Sequence, residues 1–146
     1  MESLRIDGAP HLARATLVTS TDVRVALTGF LGNLGVAWRV HHVGQMHAAM
    51  LAEGLATRSL GPRYVDLMLE PLLQAGEQLL QRYIDLGKLQ PFDVRHGALL
   101  LLSPVVLGLL HQDNLSGAKC RPLDLHAFTT AHVDAFLRAH PPVSRG

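Results

Sequence analysis

Apolar residues recur at three- and four-residue steps through most of the chain, and no sustained two-residue alternation is flanked by hairpin turns. The pattern predicts an all-α fold, a helical bundle of about five main helices. Residues 1–19 stand apart: Gly8-Ala9-Pro10 interrupts them, and they are expected to form an irregular lead. Residues 20–140 are expected to form one domain. Residues 141–146, opening on Pro141-Pro142, are expected to be a disordered tail.

A first helix is expected over residues 20–42, with Ser20 or Thr21 accepting hydrogen bonds from its free first-turn amides. Val23, Leu27, Phe30, Leu31, Leu34 and Trp38 make one apolar stripe along it. Gly29, Gly32 and Gly35 lie inside, each costing about 1 kcal/mol against alanine. Either a neighbouring helix or a ligand comes close there, or the glycines fray the helix. Gly44 is the expected break before a second helix over residues 45–58. Gly61-Pro62 then gives the glycine-then-proline asymmetry of a helix end and a new start. The third helix is expected over residues 62–86, kinked near residues 67–70 because Pro71 removes a backbone donor, and ended by Gly87. Asp93 caps a fourth helix over residues 94–112, and Asp124 caps a fifth that ends near His140.

The fourth helix is apolar nearly all round over residues 98–110. A small domain covers only part of such a circumference, and the remainder favours a subunit interface over bare exposure to water. The candidate interface residues are Leu101, Val105, Gly108 and Leu109, with Phe128, His132 and Phe136 from the fifth helix. The apolar run contains Ser103, Pro104 and Gly108 and is shorter than the roughly 20 residues of a membrane span. It reads as a buried helix, and no membrane partner is expected.

Charge and cysteine content narrow the function. Thirteen Lys and Arg against twelve Asp and Glu give a net charge of +1, and the arginines are spread along the chain. Proteins whose main partner is nucleic acid carry a clearer basic excess. Cys120 is the single cysteine, which excludes a disulfide framework and suits a reducing compartment. With no apolar signal segment at the N-terminus, a cytoplasmic location is expected.

Chemistry-bearing motifs are sparse. Among nine histidines, His41, His42 and His47 fall close together. Their spacing is not the i, i+4 step that puts two imidazoles on one helix face, and Cys120 has no second cysteine for a zinc site. No metal or cofactor is expected. Nucleophile-elbow, P-loop and dinucleotide-binding motifs are missing from the sequence, and no enzyme is read here. Trp38, His42, Met46 and Met50 recur every four residues, a row that suits an adaptable ligand pocket. The same row also suits an ordinary packed core.

In order and spacing, four features within three segments resemble the C-terminal ligand-binding and dimerisation domain of TetR-family transcriptional regulators. Residues 50–74 contain an acidic-glycine helix end and a long helix carrying Glu70-Pro71. Residues 84–110 contain a G-x-L-x-P-x-D turn, Gly87 to Asp93, into an apolar helix with Ser103-Pro104. Residues 123–140 resemble the terminal dimerisation helix. The resemblance implies a homodimer built from the last two helices and a small-molecule effector that shifts the spacing of two DNA-reading heads. Its pocket candidates here are Phe30, Trp38, His42, Met46, Met50, Leu67 and Met68. The family's helix-turn-helix has no counterpart in residues 1–19, so DNA binding by this chain alone is not expected. The alternative is a stand-alone helical interaction protein that pairs with an intact regulator.

Overall fold

The computed structural model describes residues 20–143, which are helical with no strand among them. Five long helices carry the fold: α1 (Val23–Val40), α2 (Val43–Ala56), α4 (Glu70–Asp85), α5 (Val94–Leu109) and α7 (Leu125–Ala139). Two one-turn helices, α3 (Gly61–Tyr64) and α6 (Gly117–Cys120), punctuate the connections.

Caps set the starts. α1 is capped by Asp22, whose carboxylate accepts from the Arg24 and Val25 amides at 2.9 and 3.3 Å. The expected caps, Ser20 and Thr21, do not serve; Ser20 supports the cap from outside, its hydroxyl accepting from the Asp22 amide at 3.1 Å. Asp93 and Asp124 cap α5 and α7 as the sequence predicts. Gly87 closes α4 with φ at +70°, a conformation open to glycine at little cost.

The first break lies elsewhere than predicted. α1 stops at Val40, and the chain turns at His41 and His42, the latter left-handed at φ 59°. Gly44 sits inside α2, because a Cβ there would overlap the Trp38 indole. Its role is close packing, and the turn is made by a histidine.

The expected kink before Pro71 takes the form of a π turn. Residues Val65–Leu69 widen the spiral, and the Glu70 amide bonds to the Val65 carbonyl. An extra residue in the turn lets the chain absorb the missing proline donor. A second π turn, Leu110–Asn114, extends α5.

The core runs through α1, α4, α5 and α7: Leu27, Phe30, Leu79, Leu80, Tyr83, Leu101 and Val133 are all 0–1% exposed. At Gly76 the backbones of α4 and α5 come close, with Leu102 Cδ1 and Ala98 Cβ at 3.1 and 3.3 Å from where a Cβ would stand. Arg95 of α5 binds Glu70 and Glu77 of α4 at 2.5 and 3.0 Å, closing the same seam from its polar side. Among the described residues, Val94–Asn114 is the one helical stretch long and apolar enough to cross a membrane, and Leu101, Leu102, Val105 and Leu109 pack it into the core.

Gly76→Val should overpack this seam and destabilise the protein by about 2 kcal/mol. A lower urea midpoint with an unchanged slope is the expected reading. An unchanged midpoint would show that α4 and α5 are not in close contact there.

Candidate functional site

The predicted row of Trp38, His42, Met46 and Met50 does not stay on one face. Because α1 ends at Val40, His42 turns out to solvent, while Trp38 and Met50 are buried and Met46 is half-buried. Phe30 is a core residue at 0% exposure, and Leu67 and Met68 lie half-buried within the first π turn.

The inward histidine is His47. Its Nε2 lies 2.5 Å from the Tyr64 hydroxyl, and its ring is 4.8 Å from the Trp38 indole and edge-on to Tyr64 at 5.1 Å. Burial pushes His47 down to about 4 and Tyr64 up to about 12. The pair is therefore neutral at pH 7, and a hydrogen bond joins the phenol oxygen to the imidazole Nε2 with neither group charged. Trp38 completes the cluster by donating from Nε1 to Asn114 Oδ1 at 3.0 Å.

Asn114 belongs to the second π turn, which sends three successive polar side chains to three different partners. Gln112, 6% exposed, clamps the loop before α7: its Oε1 accepts from the Leu123 amide and its Nε2 donates to the Arg121 carbonyl. Asp113 holds Arg39 through two bonds of 2.6 and 3.0 Å. Asn114 reaches both Trp38 and the Gly44 carbonyl, the latter at 3.4 Å. A wide turn alters the register of successive side chains, and such turns recur at functional sites.

On the other side of α1, between α1, α5 and α7, runs a groove of about 300 Å³. Leu31, Val105 and Leu109 make its apolar floor, Thr28 and Thr129 add hydroxyls, and Arg39 stands at one end. None of the seven predicted pocket residues lines it.

The predicted interface residues divide in two. Leu101, Val105, Leu109 and Phe136 are 0–3% exposed and belong to the chain's own core. Gly108, Phe128 and His132 are partly exposed. A Cβ at Gly108 would already touch Leu125 of the same chain at 3.4 Å, and His132 Nε2 lies 2.9 Å from the Leu101 carbonyl. That carbonyl neighbours Leu100, whose own helical donor Pro104 removes.

His47, Tyr64, Gln112, Asn114 and Thr129 are absent from the sequence-derived candidates. For His47 a signal existed: it lies three residues before Met50 and four after Val43 on an apolar helix. Tyr64 and Asn114 are single polar residues whose partners lie far along the chain, and Gln112 bonds across a loop to residues nine and eleven positions on. Among the described residues, no three of His, Cys, Asp and Glu come together to hold a metal ion, and Cys120 is exposed.

The buried imidazole makes stability pH-dependent. Unfolded His47 binds a proton below about 6.5, whereas the folded form resists until about 4. Between these values the unfolded state holds more protons, so stability falls as pH drops, by about 3 kcal/mol across the window. Urea titrations at pH 7 and pH 4.5 should show this fall in the wild type and a clearly smaller one in His47→Gln. Equal falls would place His47 in solvent. Comparison of the chain with family models, curated proteins and solved structures yields no match.

Proposed function

We propose that the chain is the effector-binding and dimerisation region of a TetR-type transcriptional regulator acting in the cytoplasm. It senses a small apolar or amphipathic ligand and pairs with a second copy. DNA binding belongs to a helix-turn-helix that residues 20–143 do not form. The ligand acts by preferring one relative placement of the two subunits, since a ligand shifts an equilibrium only through differential affinity.

The observation that carries this reading is the uncovered side of α5. Leu99, Leu100 and Leu107 are 41%, 49% and 67% exposed, in a helix whose opposite side is core. Ser103 lies between them and is small enough for a second helix to approach. Ala131 and Ala135 of α7 are exposed too, with Phe128 and His132 half-buried on the same helix. Contiguous exposed apolar surface marks an interaction site. An isologous pairing of α5 and α7 from two copies would cover it as a four-helix interface. The order of capped starts, proline-marked turns and an apolar penultimate helix supports the same reading.

Light scattering at micromolar concentration should give the mass of a dimer, and Leu107→Glu should shift it to a monomer without lowering helix content. A wild-type monomer would contradict the reading. Capture of Leu107→Glu as an unchanged dimer would remove α5 from the interface.

A further inference from the structure

The side of α5 and α7 that carries Leu99, Leu100, Leu107, Ala131 and Ala135 includes one ionisable residue, His132. Its Nε2 lies 2.9 Å from the Leu101 carbonyl. A carbonyl oxygen only accepts, so Nε2 holds the hydrogen and the lone pair is on Nδ1. The imidazole also lies parallel to the Phe128 ring, with centroids 6.1 Å apart. Nδ1 makes no hydrogen bond among the described residues and is not closed off from solvent, so in the single chain it faces water.

Every acid near this ring is committed elsewhere. α5 has no carboxylate along its length; its ionisable residues are Arg95, held by Glu70 and Glu77, and His96, 3.8 Å from Asp93. From α1, Arg24 occupies Asp134 of α7, and Arg39 occupies Asp113. On α7 itself, His126 and Arg138 lie six residues away on either side, and the Asp124 carboxylate accepts from the Ala127 amide. His140 is bonded to the Phe136 carbonyl.

An imidazole in water takes up a proton near pH 6.5. On an open surface the added charge is hydrated at Nδ1. Beneath a second subunit the same charge would be left unpaired among leucines and alanines, which is costly. Isologous pairing brings one His132 from each copy to the same interface. Below pH 6.5 separated chains therefore hold up to two more protons than the pair, and association weakens as pH falls.

We propose that His132 makes the pairing of two copies sensitive to acid: the dimer forms with both imidazoles neutral and separates when they take up protons at Nδ1. This rests on the α5–α7 dimer proposed above and adds an input to that interface.

Sedimentation equilibrium of the full chain at pH 7.5 and pH 5.5 tests it. Exclusion of two protons raises the dimer Kd by up to about a hundredfold between these values. His132→Gln keeps an N–H donor for the Leu101 carbonyl and takes up no proton, so its Kd should rise less than about threefold. His132→Phe keeps a ring beside Phe128 without the charge and should also stay dimeric at pH 5.5, which keeps the test decisive if the glutamine variant does not fold. Helix content followed by circular dichroism separates lost pairing from acid unfolding through His47. An unchanged wild-type Kd at pH 5.5, or a rise shared by the wild type and both variants, would overturn the proposal and leave the dimer standing. A wild-type monomer at pH 7.5 would overturn both.

Discussion

The structure depends on covering one helix. α5 is apolar nearly all round, and each neighbour takes a part of its circumference. α4 comes closest, meeting α5 where Gly76 faces Ala98 and Leu102. α7 lies on another flank, with His132 reaching the Leu101 carbonyl. α1 adds Phe30 and Leu31 from its own stripe. What these three leave uncovered is the side bearing Leu99, Leu100 and Leu107. Burial of apolar surface contributes roughly 25 cal/mol per Å², so an uncovered stripe is also an unused source of association energy.

Where α5 ends, polar chemistry replaces apolar packing. The π turn at Leu110–Asn114 fixes the loop before α7 through Gln112, the end of α1 through Asp113, and the Trp38 indole through Asn114. The same turn thereby sets both sides of α1. On one side it supports the Trp38–His47–Tyr64 cluster, which is dry enough to keep an imidazole neutral. On the other it neutralises Arg39 at the mouth of the groove. A shift of α5 along its axis would disturb both sides at once.

Helix type, the five main helices and three of their end signals were legible in the sequence, because period and caps are local. Asp93, Asp124 and Gly87 act through residues within one turn of themselves, and Pro71 announces its π turn by removing a donor. Gly44 misled for a physical reason. Glycine breaks helices through its freedom, but here it serves by lacking a side chain, and only the Trp38 ring six residues earlier explains that. With Gly44 inside α2, the left-handed turn falls to His42, and the four-residue row from Trp38 to Met50 divides. Leu101, Val105, Leu109 and Phe136 were rightly seen as apolar positions of the last two helices. Periodicity does not say which side of an all-apolar helix its own chain will cover. Gln112 and Asn114 owe their roles to partners that only the folded chain defines.

The central claim is that the uncovered side of α5 meets the same side of a second copy. Mixing chain labelled with ¹³C at leucine methyls with unlabelled chain, and recording isotope-filtered cross-relaxation, tests it most directly. The account predicts intermolecular signals at the Leu99, Leu100 and Leu107 methyls and none at the core methyls of Leu27 or Leu80. Intermolecular signals confined to other leucines, or none at any concentration where the chain is folded, would contradict it.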